Sequence, residues 1–79
     1  MDRLEPRDEA ILLGIAQGQT IEQICKVVLT TKAYVHGRIV MLEEADLVSP
    51  PPVKYRSGRK ITERGKRYLI ACGYLKETR

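Results

Sequence analysis

Between Thr20 and Leu42 the chain has room for two helices and only a turn of about three residues to join them, and few folds accept that arrangement. Thr20 followed three residues later by Gln23 is a capping box. It opens a helix over residues 21–28 with Ile21, Ile24, Val27 and Val28 directed inward. The β-branched pair Val27-Val28 would also suit a strand, but the cap and the period favour a short helix. Leu29 and Thr30 make the turn, and the Thr31 side chain can accept from the free N–H groups of a helix over residues 32–45. There Val35, Ile39 and Leu42 recur at the i, i+4, i+7 spacing of one buried stripe. Lys32, Ala33, His36, Gly37 and Val40 face the other way. That is not the Glu/Lys surface of a solvated helix, and it raises the question of what lies against it.

Around this pair the remaining elements are short. A first helix over residues 6–17 starts at Pro6, whose fixed φ and missing N–H suit a first helical position, and Asp8 and Glu9 favour the positive end of its dipole. Ala10, Ile11, Leu13 or Gly14, and Ile15 form its buried side, and Gly18 ends it. Pro50-Pro51-Pro52 holds the chain extended as a spacer. Beyond it, "VKYR" and "RKIT" flank Ser57-Gly58, a hairpin signal within residues 47–61 whose tip carries Arg56 and Arg59, with Lys54 and Lys60 one step back. Thr62 caps a last helix over residues 63–75, with Tyr68, Leu69, Cys72 and Leu75 as its apolar stripe and Arg64, Lys66 and Arg67 outside. Ile70, Ala71 and Tyr74 widen the stripe beyond what one small core needs, so Tyr68, Ile70, Ala71, Tyr74 and Leu75 are expected to form a homodimer interface. The expected fold is one mainly α domain over residues 1–79 with a small antiparallel β-hairpin, in the order α-α-α-β-β-α.

Charge is unevenly distributed along the chain. Met1 to Leu29 holds three cations and five anions, whereas Lys54 to Arg67 holds seven cations and one anion, Glu63. A local positive field of that strength suits a polyanion, because each lysine or arginine set against a phosphate releases condensed counterions. No apolar run approaches the ~18 residues of a membrane span and the opening "MDRLEPRDEA" does not read as a secretory signal, so a cytoplasmic protein that does not engage membranes is expected. One histidine and two cysteines, Cys25 and Cys72, outside any C-x-x-C spacing supply no metal-ligand set, and both thiols are expected reduced and buried. No nucleophile stands at a motif spacing from His36, no Gly-rich phosphate loop is present, and Glu43-Glu44 read as an exposed helix end, so neither an enzyme nor a cofactor is expected. An RNA-binding role is disfavoured because Phe and Trp are absent and the four tyrosines are not interleaved as a stacking platform.

From Thr31 onward, "TKAYVHGRIVMLEEADLV" resembles the segment of MarR-like and PadR-like winged helix-turn-helix regulators that reads roughly S-x-x-T-V-x-x-x-I-x-x-L-E-x-x-G-L-I. Thr31, Val35, Ile39, Leu42, Glu43, Leu47 and Val48 fall on its marked positions, and "ITERG", Ile61 to Gly65, resembles the L-T-x-x-G that opens the helix after the wing. Two departures stand out: Tyr34 in place of a threonine, and Asp46 in place of the glycine that leaves the recognition helix. The first half, "LEPRDEAILLGIAQGQTIEQI", is also similar to LuxR-type DNA-binding domains, but those lack a wing, and the second half of the chain decides against them.

The winged-helix resemblance implies a sequence-specific transcriptional regulator or repressor of double-stranded DNA, with the helix from Thr31 in the major groove and the basic hairpin on the backbone or in the minor groove. A groove about 12 Å wide accepts a helix whose outward residues are small or bond to base edges. Lys32 and His36 can donate to guanine, Ala33 and Val40 can meet a thymine methyl, and Gly37 lets the backbone come close. Thr31, Tyr34 and Arg38 join them as candidate contacts, Tyr34 through its hydroxyl or as core and Arg38 through a phosphate, a base or a pair with Glu43. Lys54, Arg56, Arg59 and Lys60 would give sequence-independent affinity. No sensor region for a small-molecule effector is evident. The alternative is a winged helix used to dock a protein or to build a larger nucleoprotein assembly.

Overall fold

The computed structural model describes residues 3–50 and 60–76. It contains α1 (Pro6–Ala16), α2 (Ile21–Val28), α3 (Lys32–Glu44), β1 (Val48–Ser49), β2 (Lys60–Ile61) and α4 (Glu63–Ala71), the order expected from the sequence. The two strands pair antiparallel, with Val48 opposite Ile61 and Ser49 opposite Lys60. Lys54, Arg56, Arg59 and the Ser57-Gly58 turn lie outside the described residues. Among the described residues no helix is long and apolar enough to cross a membrane.

Three of the helices start on a threonine. Thr20 accepts from Gln23 N–H at 3.2 Å while Gln23 Oε1 accepts from Thr20 N–H at 2.8 Å, completing the capping box. Thr31 accepts from Tyr34 N–H, and Thr62 from Gly65 N–H. The ends also share one device. Gln19, Thr30, Leu47 and Tyr74 each donate their N–H to a carbonyl five residues back, after a residue with positive φ. This is the Schellman closure, which favours glycine at the left-handed position. Gly18 and Gly73 fill it in α1 and α4, but Leu29 at φ 55° and Asp46 at φ 62° fill it in α2 and α3. Asp46 thus does at the end of α3 what the resembled families assign to glycine, since aspartate tolerates the left-handed region better than most residues. Gly73 ends α4 at Ala71, four residues short of the expected helix through Leu75.

The core is built from Ile11, Leu12 and Ile15 of α1, Ile24 and Val28 of α2, Val35, Ile39 and Leu42 of α3, Leu47, Val48, and Leu69 of α4. Two expectations need correction. Leu12, absent from the expected buried side, is fully buried while Leu13 is half-buried, because α1 is packed by α2, α3, α4 and β2 and its inner face is correspondingly broad. Val27, read as inward, is 62% exposed, because Ile24 and Val28, flanked by half-buried Ile21 and Cys25, already fill the inner face of so short a helix. Gly65 has a tighter constraint: a Cβ there would stand 2.2 Å from the Leu47 carbonyl oxygen, so α4 rests directly on the backbone that leaves α3. Thr62 reinforces that junction, its hydroxyl donating to Asp46 C=O at 2.6 Å and its N–H to Leu47 C=O.

Candidate nucleic-acid interface

The α1–α2–α3 core turns the inner stripe of α3 away from solvent and leaves its opposite face bare. Lys32, Ala33, His36, Gly37, Val40, Met41 and Glu44 are exposed along it, Val40 and Met41 each about half accessible. Gly37 is decisive here. A Cβ built at Gly37 meets nothing within 4 Å, so the glycine makes no room for any described neighbour in its own chain. A mid-helix glycine costs about 1 kcal/mol relative to alanine, and no described neighbour accounts for that cost.

The charged residues of α3 divide by environment. Lys32 lies 3.4 Å from Glu22 of α2, but both side chains are more than half exposed, so the pair holds Lys32 only weakly and leaves it able to turn to another anion. Arg38 is held firmly. Its Nε and Nη2 donate to the two oxygens of Asp8 at 2.7 and 2.6 Å, its Nη1 donates to Met41 Sδ, and the carboxylate holds the guanidinium in its charged form. Within the chain Arg38 pairs with the buried Asp8 on α1, a partner the sequence did not name, and its side chain stays 29% exposed. Tyr34 is half-buried against the core, with the Arg7 guanidinium 5.7 Å from its ring centre. Thr31 is occupied as the cap of α3. Lys60 is exposed on β2, and Arg64 and Arg67 are exposed on α4, where Arg67 stands 3.8 Å from Glu63 in a solvated pair.

The residues expected at a subunit interface are largely engaged within the chain. Tyr68 and Leu75 pack against the core. The Tyr68 hydroxyl donates to Glu9 at 2.5 Å and accepts from Leu4 N–H at 2.8 Å, and the Tyr74 hydroxyl donates to Glu9 at 2.8 Å. Ile70 is half-buried and Ala71 exposed, so a partner meeting α4 would find chiefly Ala71, part of Ile70 and the exposed part of Tyr74.

Sequence reading missed the role of Asp8 and Glu9, each only 2% exposed. Both suit the α1 dipole, but Glu9 also gathers Arg3 at 2.9 Å, Tyr68, Tyr74 and, more distantly, Cys72 Sγ at 3.9 Å. The hydrogen bonds from Arg3, with those from the two tyrosines, outweigh the cost of burial and hold the Glu9 carboxyl at about 2. Burial, with the bond to Glu9, pushes the Tyr68 phenol up to about 12. The available sequence signal was the pair of consecutive carboxylates in a helix that also carries four large aliphatic residues, but it named no partner.

No family model, no curated protein and no solved structure matches this chain. The structure alone defines its class, a mainly helical domain with a two-stranded antiparallel sheet and a bare helix face.

Proposed function

We propose that the chain is a winged helix-turn-helix protein that binds double-stranded DNA in a sequence-dependent way, with the exposed face of α3 in the major groove. The observation that carries this reading is Gly37: a helix-weakening residue in mid-α3, on the exposed face, with open space where its side chain would be. Ala33 beside it is small, and Lys32 and His36 flank it with hydrogen-bonding groups near the helix start. The cationic run from Lys54 to Arg67 supplies the long-range attraction, of which Lys60, Arg64 and Arg67 are exposed among the described residues. Transcriptional regulation is the role that such an interface supports best.

Titrating isotopically labelled protein with duplex DNA and following the amide resonances tests the placement. The shifts should concentrate between Thr31 and Val40 and around Lys60; shifts confined to α1 and α4 would overturn it. A second reading, a docking module for another protein, is favoured by the exposure of Val27, Leu29, Val40 and Met41. On that reading duplex DNA leaves the α3 resonances where they are.

A further inference from the structure

We propose that Asp8 is a positioning residue for DNA binding, fixing the roll of α3 through its two-oxygen bond to Arg38 without itself touching DNA. This rests on the DNA-binding reading above. Asp8 stands in the first turn of α1 and is almost wholly buried, so it cannot reach a ligand outside. Arg38 stands midway along α3, one residue after Gly37. Their parallel N–H···O bonds at 2.7 and 2.6 Å fix the plane of the guanidinium, and the contact of Nη1 with Met41 Sδ at 3.1 Å commits its third nitrogen.

The apolar contacts between α1 and α3 are non-directional: aliphatic side chains such as Ile11, Val35 and Ile39 stay buried under small rotations of one helix on the other. The ion pair is directional and does not allow that freedom. A buried ion pair contributes little net stability compared with apolar residues of similar volume, so its use here is to select one helix orientation among several that bury the same surface. A binding face works only when held to about 0.5 Å and 10–20°. Gly37 and Ala33 lie on the side of α3 that Asp8 thereby aims outward.

The competing role is that Arg38, still 29% exposed, contacts a phosphate directly. Asp8→Asn, Arg38→Gln and the double variant separate the two, measured against a duplex selected with the wild-type protein from a random pool and against random duplex. The expected result is a loss of about tenfold, the scale of one lost base contact, on the selected duplex in each single variant. Affinity for random duplex and the salt dependence should stay at the wild-type level, and the double variant should lose no more than either single one. A salt slope reduced by about one in Arg38→Gln alone would make Arg38 a phosphate contact and overturn the proposal. Asp8→Asn binding the selected duplex as wild type does would also overturn it.

Circular dichroism fixes the folded fraction in each variant. Should Asp8→Asn unfold, Asp8→Glu keeps the charge but displaces it by one methylene, and it should lose selectivity while remaining folded; wild-type selectivity in that variant counts against the proposal. Failure of the wild-type protein to bind any duplex removes the DNA-binding reading itself, which is a different result from binding that is indifferent to Asp8.

Discussion

Leu29 is strained and exposed at once. Its φ of 55° puts it in the left-handed region, and its side chain is 85% accessible, so the residue loses conformational energy and recovers almost none by burial. Left-handed backbone costs an L-residue about 1–2 kcal/mol, whereas glycine avoids that cost but loses about 0.5–1 kcal/mol of chain entropy on folding. Leu29→Gly should therefore stabilise the protein by about 0.5 kcal/mol in urea denaturation. The opposite sign is expected at Gly65, where alanine would drive its Cβ into the Leu47 carbonyl. Because the obstacle is backbone, it yields only by moving α4, and Gly65→Ala should cost about 2 kcal/mol or more in the same assay. The threonine caps were legible in the sequence because donor and acceptor stand three residues apart. The need for glycine at position 65 was visible only as a resemblance, since the carbonyl it avoids belongs to another element.

Elements are braced chiefly by α1, whose first turn sends Asp8 to α3 and Glu9 to α4 and to the segment before α1. A carboxyl held at about 2 against an ordinary 4.5 stabilises the fold while ionised. That contribution is complete above the ordinary value and is lost as pH falls through the lowered one. Melting temperature should accordingly fall between about pH 4.5 and pH 2. In Glu9→Gln the melting temperature should start lower at neutral pH, and its decline across that interval should be shallower. An unchanged pH profile in the variant would show that other carboxylates carry the acid sensitivity.

Helix order and the buried stripe of α3 were readable from local patterns, whereas the pairing of Val48–Ser49 with Lys60–Ile61 was not, since the local pattern puts the first strand at "VKYR". Nor was the bracing. Arg38 lies thirty residues from Asp8, and Tyr68 and Tyr74 lie fifty-nine and sixty-five from Glu9, distances over which a sequence pattern does not say who meets whom. The same limit applies to Tyr74, which widens the apolar stripe in the sequence but in the fold donates its hydroxyl to Glu9.

At the scale of the molecule, a domain extending 32 × 27 × 21 Å holds a thirteen-residue α3 with one side bare, and concentrates cations in the later half of the sequence. Those two features lead to the same ligand only if the bare helix and the cations act together. Affinity for random duplex DNA across a salt series, read by fluorescence anisotropy on the wild-type protein, Lys32→Gln and Lys60→Gln, tests that most directly. The wild-type protein should lose affinity linearly in log salt; Lys60→Gln should reduce the slope by about one while weakening binding to all sequences alike, and Lys32→Gln, which removes a cation from the bare face, should reduce the slope as well. Binding that is absent even at low salt, or a slope indifferent to both substitutions, would contradict the assignment of α3 and β2 to a DNA surface.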